Sequence, residues 1–184
     1  MSNQSFPKDT AECQVAELPN ASVVINFRVR APQARSFDSG RASIPSLLSH
    51  LQVEPPLPCH CRLQARSDDG GESWTIPAPV PALVEPVCSA GLLQASGSLL
   101  FSNPATVSSR VNMTVRRSGD EGATWTAGTA LVWPGPAAYS VLVPLSSPGP
   151  RAGTGADGPV AVGIVFECGE NSPYETISFS SVTV

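Results

Sequence analysis

Two octapeptides of the same form decide the fold of this sequence: Ser67-Asp-Asp-Gly-Gly-Glu-Ser-Trp74 and Ser118-Gly-Asp-Glu-Gly-Ala-Thr-Trp125. Both follow the pattern Ser-x-Asp-x-Gly-x-[Ser/Thr]-Trp, and their first residues stand 51 positions apart. The aspartate accepts hydrogen bonds from its own loop, the glycine takes positive φ, and the hydroxyls add short-range bonds, which predicts a self-contained β-turn. The tryptophan then anchors its ring between sheets, with its N–H bonded nearby. A period of about 50 residues is the size of a four-stranded propeller blade.

The composition agrees with an all-β chain. The 184 residues include 15 Gly and 19 Pro, while only 14% are charged, against about 25% in average proteins. Long helices are therefore not expected, and a turn-rich, strand-rich fold is predicted. The net charge of -4 is too small to indicate a nucleic-acid-binding surface. No apolar run reaches membrane-spanning length, and the polar start, Met1 to Gln14, predicts no signal peptide.

Runs of apolar and β-branched residues predict strands on both sides of each turn. These are Ser22–Arg28, Cys61–Arg66, Gly91–Gln94, Gly97–Ser102, Arg110–Arg117, Ala137–Val143, Val160–Glu167 and Tyr174–Val182. They make about two complete blades and part of a third. Segment 29–58, rich in Pro, Ser and Arg, is predicted to be a disordered insertion, and a short helix at Ser43–Val53 is an alternative within it. Segment 146–158 is predicted to be a Pro/Gly-rich loop.

The five cysteines do not show the spacing of a metal site. Cys59-His60-Cys61 places two sulfurs on one strand face without a second pair of ligands, so neither a metal nor another cofactor is predicted. Disulfide pairing stays open if the compartment oxidises. Glycosylation sequons begin at Asn3, Asn20 and Asn112.

The paired turns resemble the Asp boxes of the sialidase (neuraminidase) superfamily, through Ser67, Asp69, Gly71 and Trp74, and Ser118, Asp120, Gly122 and Trp125. The resemblance covers nearly all of the chain outside segments 29–58 and 146–158, and it is closest to the carboxyl-terminal half of the lysosomal member of the family. The stretches that carry it are Glu12-Cys13-Gln14, Glu17-Leu18-Pro19, Ser22-Val-Val-Ile-Asn26, Cys59-His60-Cys61-Arg62, Phe101-Ser-Asn-Pro104, Arg110-Val111-Asn112, Trp133-Pro-Gly-Pro136, Tyr139-Ser140 and Glu175-x-Ile177-Ser178. It implies an all-β fold that forms about half of a six-bladed β-propeller.

The resemblance also implies catalytic and substrate-binding residues. Sialidases hold the carboxylate of a terminal sialic acid with three arginines, and Arg28 resembles the second and Arg110 the third. Planar guanidinium forks suit a carboxylate. Tyr139 resembles the nucleophile that sialidases use in place of a carboxylate, and Glu12 resembles the acid that takes its proton. A phenol needs such a neighbouring base because its ordinary pKa is near 10.

Further positions have supporting or structural interpretations. Glu175 resembles the glutamate that orients the first arginine, and Asn112 resembles a glycosylated position. Arg30, Arg116 and Arg117 lack family support and are predicted to lie on the surface. Any one of the site residues alone would be interpreted as a surface charge or rim aromatic, but their order and matching context together favour family membership.

Two features depart from the family pattern. The Phe/Tyr-Arg-Ile-Pro motif that carries the first arginine is absent, and so is the general-acid aspartate that follows it; Ile44-Pro45 has Ser43 before it. Segment 29–58 also interrupts a direct run from the second arginine to the Cys-His-Cys strand, as a real loop, a retained intron or a gene-model error would.

The resemblance therefore implies part of an exo-α-sialidase that removes terminal sialic acids from glycoproteins, glycolipids and oligosaccharides, and little or no activity is expected of the chain alone. The alternative is a non-catalytic truncated propeller that binds sialoglycans or a protein partner. The lysosome is the implied compartment, with cathepsin A and β-galactosidase as partners of the full enzyme. No nucleic acid, membrane span or cofactor is implied.

Overall fold

The computed structural model describes residues 5–6, 10–29, 59–125, 130–145 and 158–184. These residues form ten β-strands. In chain order they are β1 (Thr10–Glu17), β2 (Val23–Val29), β3 (Cys61–Ser67), β4 (Ala78–Val84), β5 (Gly91–Ala95), β6 (Ser98–Pro104), β7 (Val111–Ser118), β8 (Ala130–Pro144), β9 (Ala161–Cys168) and β10 (Thr176–Thr183). The insertion predicted at 29–58, its helix, and the loop predicted at 146–158 lie outside the described residues, apart from the end residues Val29 and Gly158.

The strands pair antiparallel and fall into three blades. The first blade is the sheet β1-β2-β3-β4. The second contains β5, β6, β7 and residues 130–136 of β8, and the third contains residues 137–144 of β8 with β9 and β10. Strand β5 lies beside both β1 and β8, so the first strands of the three blades are neighbours, as they are around the axis of a propeller. The predicted all-β partial propeller is confirmed.

Apolar side chains hold the blades face to face. One buried cluster joins the first and second blades through Val24, Leu83, Leu99 and Phe101. Another joins the second and third blades, and it includes Met113, Val115, Leu142, Ile164 and Phe166. Burial of these faces removes apolar surface from water, at about 25 cal/mol per Å², and fixes the order of the blades.

The far face of the third blade has no such cover among the described residues. Val141 is 65% exposed and Phe179 is 60% exposed. Val165 lies between them, because it pairs with Val141 on one side and with Phe179 on the other. This apolar row across three strands is the kind of surface that a further propeller blade covers.

The eight predicted strands agree with the structure within two residues at every end except the start of β8. Strands β1 and β4 and the first half of β8 were not predicted. Strand β4 contains Pro79 and Pro81, and it tolerates them because it is the edge strand of its sheet. The first half of β8 was missed because it contains Pro134, Gly135 and Pro136, residue types that are typical of loops.

The two octapeptides form turns with matching hydrogen bonds. In the first, the Ser67 hydroxyl oxygen accepts the Gly71 N–H at 2.8 Å, and the Asp69 carboxylate accepts the Ser73 N–H at 2.8 Å and the Ser73 hydroxyl at 2.6 Å. The second turn repeats these three bonds with the same distances at Gly122 and Thr124. The hydrogen bonds that the Asp69 carboxylate accepts stabilise its ionised form, and they lower the pKa of Asp69 to about 2. The predicted hydrogen-bonded turns are confirmed.

The two tryptophans differ in one bond. Trp74 Nε1 donates to the Gly71 carbonyl at 3.1 Å, as predicted. In the second turn the Gly122 carbonyl instead accepts from Gln64 Nε2 of the first blade, at 3.2 Å. Trp125 packs edge-on against Phe101, and its N–H has no acceptor among the described residues, so that part of the prediction is wrong. In the second turn, the glycine carbonyl therefore bonds to the neighbouring blade and not to the tryptophan of its own turn.

Replacement of Gly122 by alanine tests that link. Gly122 has φ +91°, and an added Cβ would lie 2.9 Å from Gln64 Nε2 and 3.3 Å from Leu99. Gly97 is the matched control, because it has φ +77° and open space around its Cβ position. Gly97→Ala is expected to lower the free energy of unfolding by about 1 kcal/mol through backbone strain, and Gly122→Ala by about 1 kcal/mol more, because the added Cβ displaces the Gln64 amide from its hydrogen bond. Urea unfolding of both variants measures this, and equal losses would contradict the inter-blade contact.

Two smaller findings concern arginine and cysteine. Arg116, predicted to lie on the surface, is only 5% exposed; its strand position faces a neighbouring blade, and its Nη1 donates to Asn103 Oδ1 at 3.0 Å. Arg117 is half-buried and also hydrogen-bonded, while Arg30 lies outside the described residues.

A disulfide joins Cys59 and Cys61, and Cys13, Cys88 and Cys168 are free thiols.

Candidate active site

A hydrogen bond between the first and third blades forms the centre of the candidate site. Glu12 lies on β1 and Tyr139 on the inner half of β8, 127 residues apart in the sequence. The Tyr139 hydroxyl donates to Glu12 Oε1 at 2.6 Å. The propeller brings these two residues together, because β1 and residues 137–144 of β8 are the first strands of their blades. The sequence-predicted pair of nucleophile and proton acceptor is thus in direct contact.

Two arginines flank this pair. Arg28, near the end of β2, donates through Nη1 to Glu12 Oε2. Arg110 stands just before β7, and its guanidinium carbon lies 5.6 Å from the centroid of the Tyr139 ring, which suits a cation–π contact. Arg110 also donates to the Val87 carbonyl at 2.9 Å and to the Tyr174 hydroxyl. One positive charge therefore contacts the Glu12 carboxylate and another lies against the Tyr139 ring.

Unusual backbone conformations occur around the site. Glu12 has φ 38°, inside a register shift of β1 between Ala11 and Gln14. Val87, whose carbonyl holds Arg110, has φ 54°. Such positive-φ residues other than glycine store strain, and they persist only where their surroundings hold them. The bulge in β1 turns the Glu12 side chain toward Tyr139.

Neighbouring charges shift the pKa values of this pair in opposite directions. Burial raises the pKa of Glu12, but hydrogen bonds from Tyr139 and Arg28 outweigh it, so the pKa lies below its ordinary value. The hydrogen bond to the Glu12 carboxylate is the main cause that raises the pKa of Tyr139. At neutral and mildly acidic pH the pair is therefore carboxylate and neutral phenol, which is the state that a general base and its nucleophile require.

The substitution Glu12→Gln is expected to lower the pKa of Tyr139. An amide accepts the phenol proton more weakly and carries no charge, while the arginines at 28 and 110 continue to favour the phenolate. The chain has two tyrosines, so a Tyr174→Phe background leaves one phenol to follow by absorbance at 295 nm. Glu167→Gln is the matched control, because Glu167 accepts the Tyr139 backbone N–H at 3.1 Å and does not contact the phenol. An equal shift in both variants would contradict the assigned hydrogen bond.

Two other predicted residues lie apart from this cluster. Glu175 accepts the backbone N–H groups of residues 170, 171 and 172 at 2.8, 3.1 and 2.9 Å, and so it braces the loop before β10. Its orientation of a first arginine stays a prediction. Asn112 is half-buried on β7 with φ 61°, and its glycosylation also stays a prediction.

Sequence reasoning missed two residues that contact the cluster. Tyr174 receives a hydrogen bond from Arg110 across 64 positions of sequence, and its only local signal was its place next to Glu175. Arg62, quoted only as part of a family stretch, is fully buried and donates to the Glu12 carbonyl at 3.3 Å. In the part of the chain that the structure describes, no cluster of three or more His, Cys, Asp or Glu could hold a metal, and no helix is long and apolar enough to cross a membrane.

The fold and the site together define a class, an all-β partial propeller with a candidate site on the inner strands of its blades. Bovine (Bos taurus) Sialidase-3 is 31% identical to this chain over an aligned length of 198 residues. The alignment covers 96% of the chain and 43% of the relative. No family model matches the chain. The Hadza microbial sialidase Hz136 aligns with TM-score 0.62 and 25% identity, over 97% of this chain and 28% of that one. These similarities support the assignment of the chain to the sialidase superfamily of glycosidases.

A more distant structure shows the likeness of fold alone. The NanB sialidase from Streptococcus pneumoniae aligns with TM-score 0.62 at 17% identity, over 100% of this chain and 25% of that one. The chain thus spans less than half of the length of each of these relatives. The uncovered apolar face of the third blade agrees with this proportion.

Proposed function

We propose that this chain carries the nucleophile part of an exo-α-sialidase site. The observation that carries the proposal is the 2.6 Å hydrogen bond from Tyr139 to Glu12, with Arg28 bonded to Glu12 and Arg110 next to the Tyr139 ring. In the proposed reaction the two arginines hold the carboxylate of a terminal sialic acid. The Tyr139 oxygen attacks the anomeric carbon as its proton passes to Glu12, and the bond to the leaving oxygen breaks with its electron pair. A neutral phenol avoids the repulsion that an attacking carboxylate would meet from the substrate carboxylate.

Hydrolysis completes the proposed cycle. Water attacks the anomeric carbon of the sialosyl-tyrosine bond and releases one proton to the surrounding solvent, while Glu12 returns its proton to the tyrosine oxygen as that bond breaks. The leaving oxygen of the first step also needs a proton, and the sequence has no counterpart of the aspartate that supplies it in the family. The apolar row at Val141, Val165 and Phe179 supports cover of the third blade by further blades, which would carry the first arginine and this acid.

The 184-residue chain alone is expected to have very low activity. Loss of general acid catalysis costs about 10²- to 10⁴-fold, and loss of one charged hydrogen-bonding arm costs about 1.5–3 kcal/mol, roughly a further 10- to 100-fold. Release of a fluorogenic leaving group from a sialoside should therefore be at least about 10³-fold slower than for a complete sialidase. Turnover close to that of a complete enzyme, lost on Tyr139→Phe, would contradict the expected deficit.

Finer parts of the proposal come from family resemblance. They are terminal sialic acids of glycoproteins, glycolipids and oligosaccharides as substrates, kinship closest to lysosomal sialidase-1, a lysosomal compartment, and cathepsin A and β-galactosidase as partners. The low pKa of Glu12 is compatible with an acidic compartment, since the carboxylate stays ionised there. Cell fractionation and co-purification with the full protein test these parts.

A second candidate is a non-catalytic propeller that binds sialoglycans through the surface around Arg28 and Arg110. The absence of an Arg-Ile-Pro motif from the sequence favours it. It predicts sialoside binding that Arg110→Ala removes and Tyr139→Phe leaves in place. The enzyme proposal instead predicts that Tyr139→Phe removes covalent chemistry, as developed in the Discussion.

A further inference from the structure

A buried ion pair lies beneath the candidate site. Arg62 has no exposed surface, and its Nη1 donates to Glu85 Oε2 at 3.1 Å. The other donors of its guanidinium reach three different parts of the chain. Nε donates to Asn26 Oδ1 at 2.6 Å, Nη1 also to the Cys88 carbonyl at 3.0 Å, and Nη2 to the Glu12 carbonyl at 3.3 Å. One side chain thus holds β1, β2 and the loop between β4 and β5.

Glu85 holds two more backbone groups. Its Oε1 accepts the Val29 N–H at 3.0 Å, directly after Arg28, and its Oε2 accepts the Cys88 N–H at 3.4 Å. The loop from Glu85 to Cys88 contains Val87, whose carbonyl accepts from Arg110. The pair therefore contacts the backbone at Glu12, at Val29 next to Arg28, and at Cys88 next to Val87, although neither member of the pair reaches the open surface.

These contacts fall where the backbone is strained. Glu12 and Val87 both have positive φ, and each is attached to the pair, Glu12 directly and Val87 through Cys88. A conformation of this kind needs surroundings that over-determine it. The planar fork of arginine binds several fixed acceptors at once, whereas a lysine ammonium cannot span them.

We propose that Arg62 and Glu85 are a positioning pair that fixes the geometry of Glu12, and with it the Glu12–Tyr139 hydrogen bond, while anchoring the backbone next to Arg28 and the loop whose Val87 carbonyl accepts from Arg110. Its importance for catalysis rests on the sialidase function proposed above. The geometry itself is independent of that function, so the test reads the hydrogen bond and not turnover. Failure of sialidase assays and failure of this test are therefore separate results.

The experiment compares Arg62→Lys with Arg116→Lys, both in a Tyr174→Phe background. Arg116 is the matched control, since it is a buried arginine on β7 whose side chain donates to Asn103 and does not contact the site. Arg62→Lys keeps the charge opposite Glu85 and so protects the fold. Absorbance at 295 nm follows the ionisation of Tyr139, with Glu12→Gln as the reference for a broken bond. The rate of tyrosine nitration at pH 8 gives a second reading at mild pH.

Arg62→Lys is expected to shift the Tyr139 midpoint to lower pH, most of the way to the Glu12→Gln reference, and to speed nitration, while Arg116→Lys leaves both unchanged. Glu85→Gln is the second variant, and it should shift the midpoint in the same direction. A folded Arg62→Lys or Glu85→Gln protein with the parent midpoint and nitration rate overturns the proposal. An equal shift in Arg116→Lys also overturns it, because the effect would then be a general loss of packing.

Discussion

Tyr139→Phe is expected to abolish covalent labelling of the 184-residue protein by an activated sialosyl fluoride. Fluoride departs with the bonding electron pair and needs little help from a general acid, so this step tests the nucleophile by itself. The Tyr139 oxygen bonds to the anomeric carbon as the phenol proton passes to Glu12, with which it shares a 2.6 Å hydrogen bond. Phenylalanine has no oxygen to form that bond, so the loss should be complete. Intact mass after long incubation measures the label, and peptide mapping places it.

The second tyrosine of the chain provides the comparison. Tyr174→Phe keeps the attacking oxygen and removes only the hydroxyl that Arg110 contacts, so its label should still fall on Tyr139, at a reduced rate. A label on Tyr174, or one that survives in Tyr139→Phe, would contradict the assignment of the nucleophile. An unlabelled wild-type protein beside a labelled complete sialidase would contradict it as well.

Arg62→Met should have the largest effect on stability. Removal of one member of a buried ion pair leaves the other charge uncompensated, which costs about 3–5 kcal/mol. The side chains of Arg62 and Glu85 are 0% and 3% exposed, so solvent cannot screen the remaining carboxylate. The free energy of unfolding, measured in urea at pH 7, is expected to fall by this amount.

The same variant should be less damaged at pH 5. Burial raises the pKa of Glu85, and Arg62 opposes that rise; without the arginine, the folded-state pKa rises further. When the pKa of a carboxyl is raised in the folded state, the free energy of unfolding falls as the pH increases through that pKa, because ionisation then favours the unfolded chain. Arg116→Met removes a buried arginine that has no carboxylate partner among the described residues, and its cost should not follow this pH dependence. An equal cost of Arg62→Met at both pH values would contradict the ion-pair explanation.

The sequence predicted much of the fold because its signals were local. The octapeptide turns depend on bonds within eight residues, and strands such as β6 and β9 have enough apolar residues to be found. Strand β4, with its two prolines, resembles a loop until the sheet gives it an edge position. The first half of β8 has the same difficulty, since pairing with β7 and not composition makes it a strand.

The site was predictable only in part, for a related reason. Tyr139 and Glu12 were found through family resemblance, whereas nothing in either local sequence shows that they touch. Arg62 looks like an ordinary strand residue, and its burial depends on Glu85 and Cys88 closing over it from a loop 23 or more residues away. Arg116 was placed on the surface because its charge outweighs any local signal for the blade interface.

Strand β8 couples the stability of the second blade to that of the third. Its first half closes the second blade by pairing with β7, and its second half opens the third blade with Tyr139. In most repeat proteins adjacent units are coupled through their packed faces and can fray separately. Here one uninterrupted strand, β8, belongs to both blades. Loss of the β7–β8 pairing therefore also releases the half of the strand that carries the phenol. Amide hydrogen exchange along both halves of β8 should therefore report one cooperative opening, and a substitution far out on the second blade can reduce chemistry at the centre without touching it.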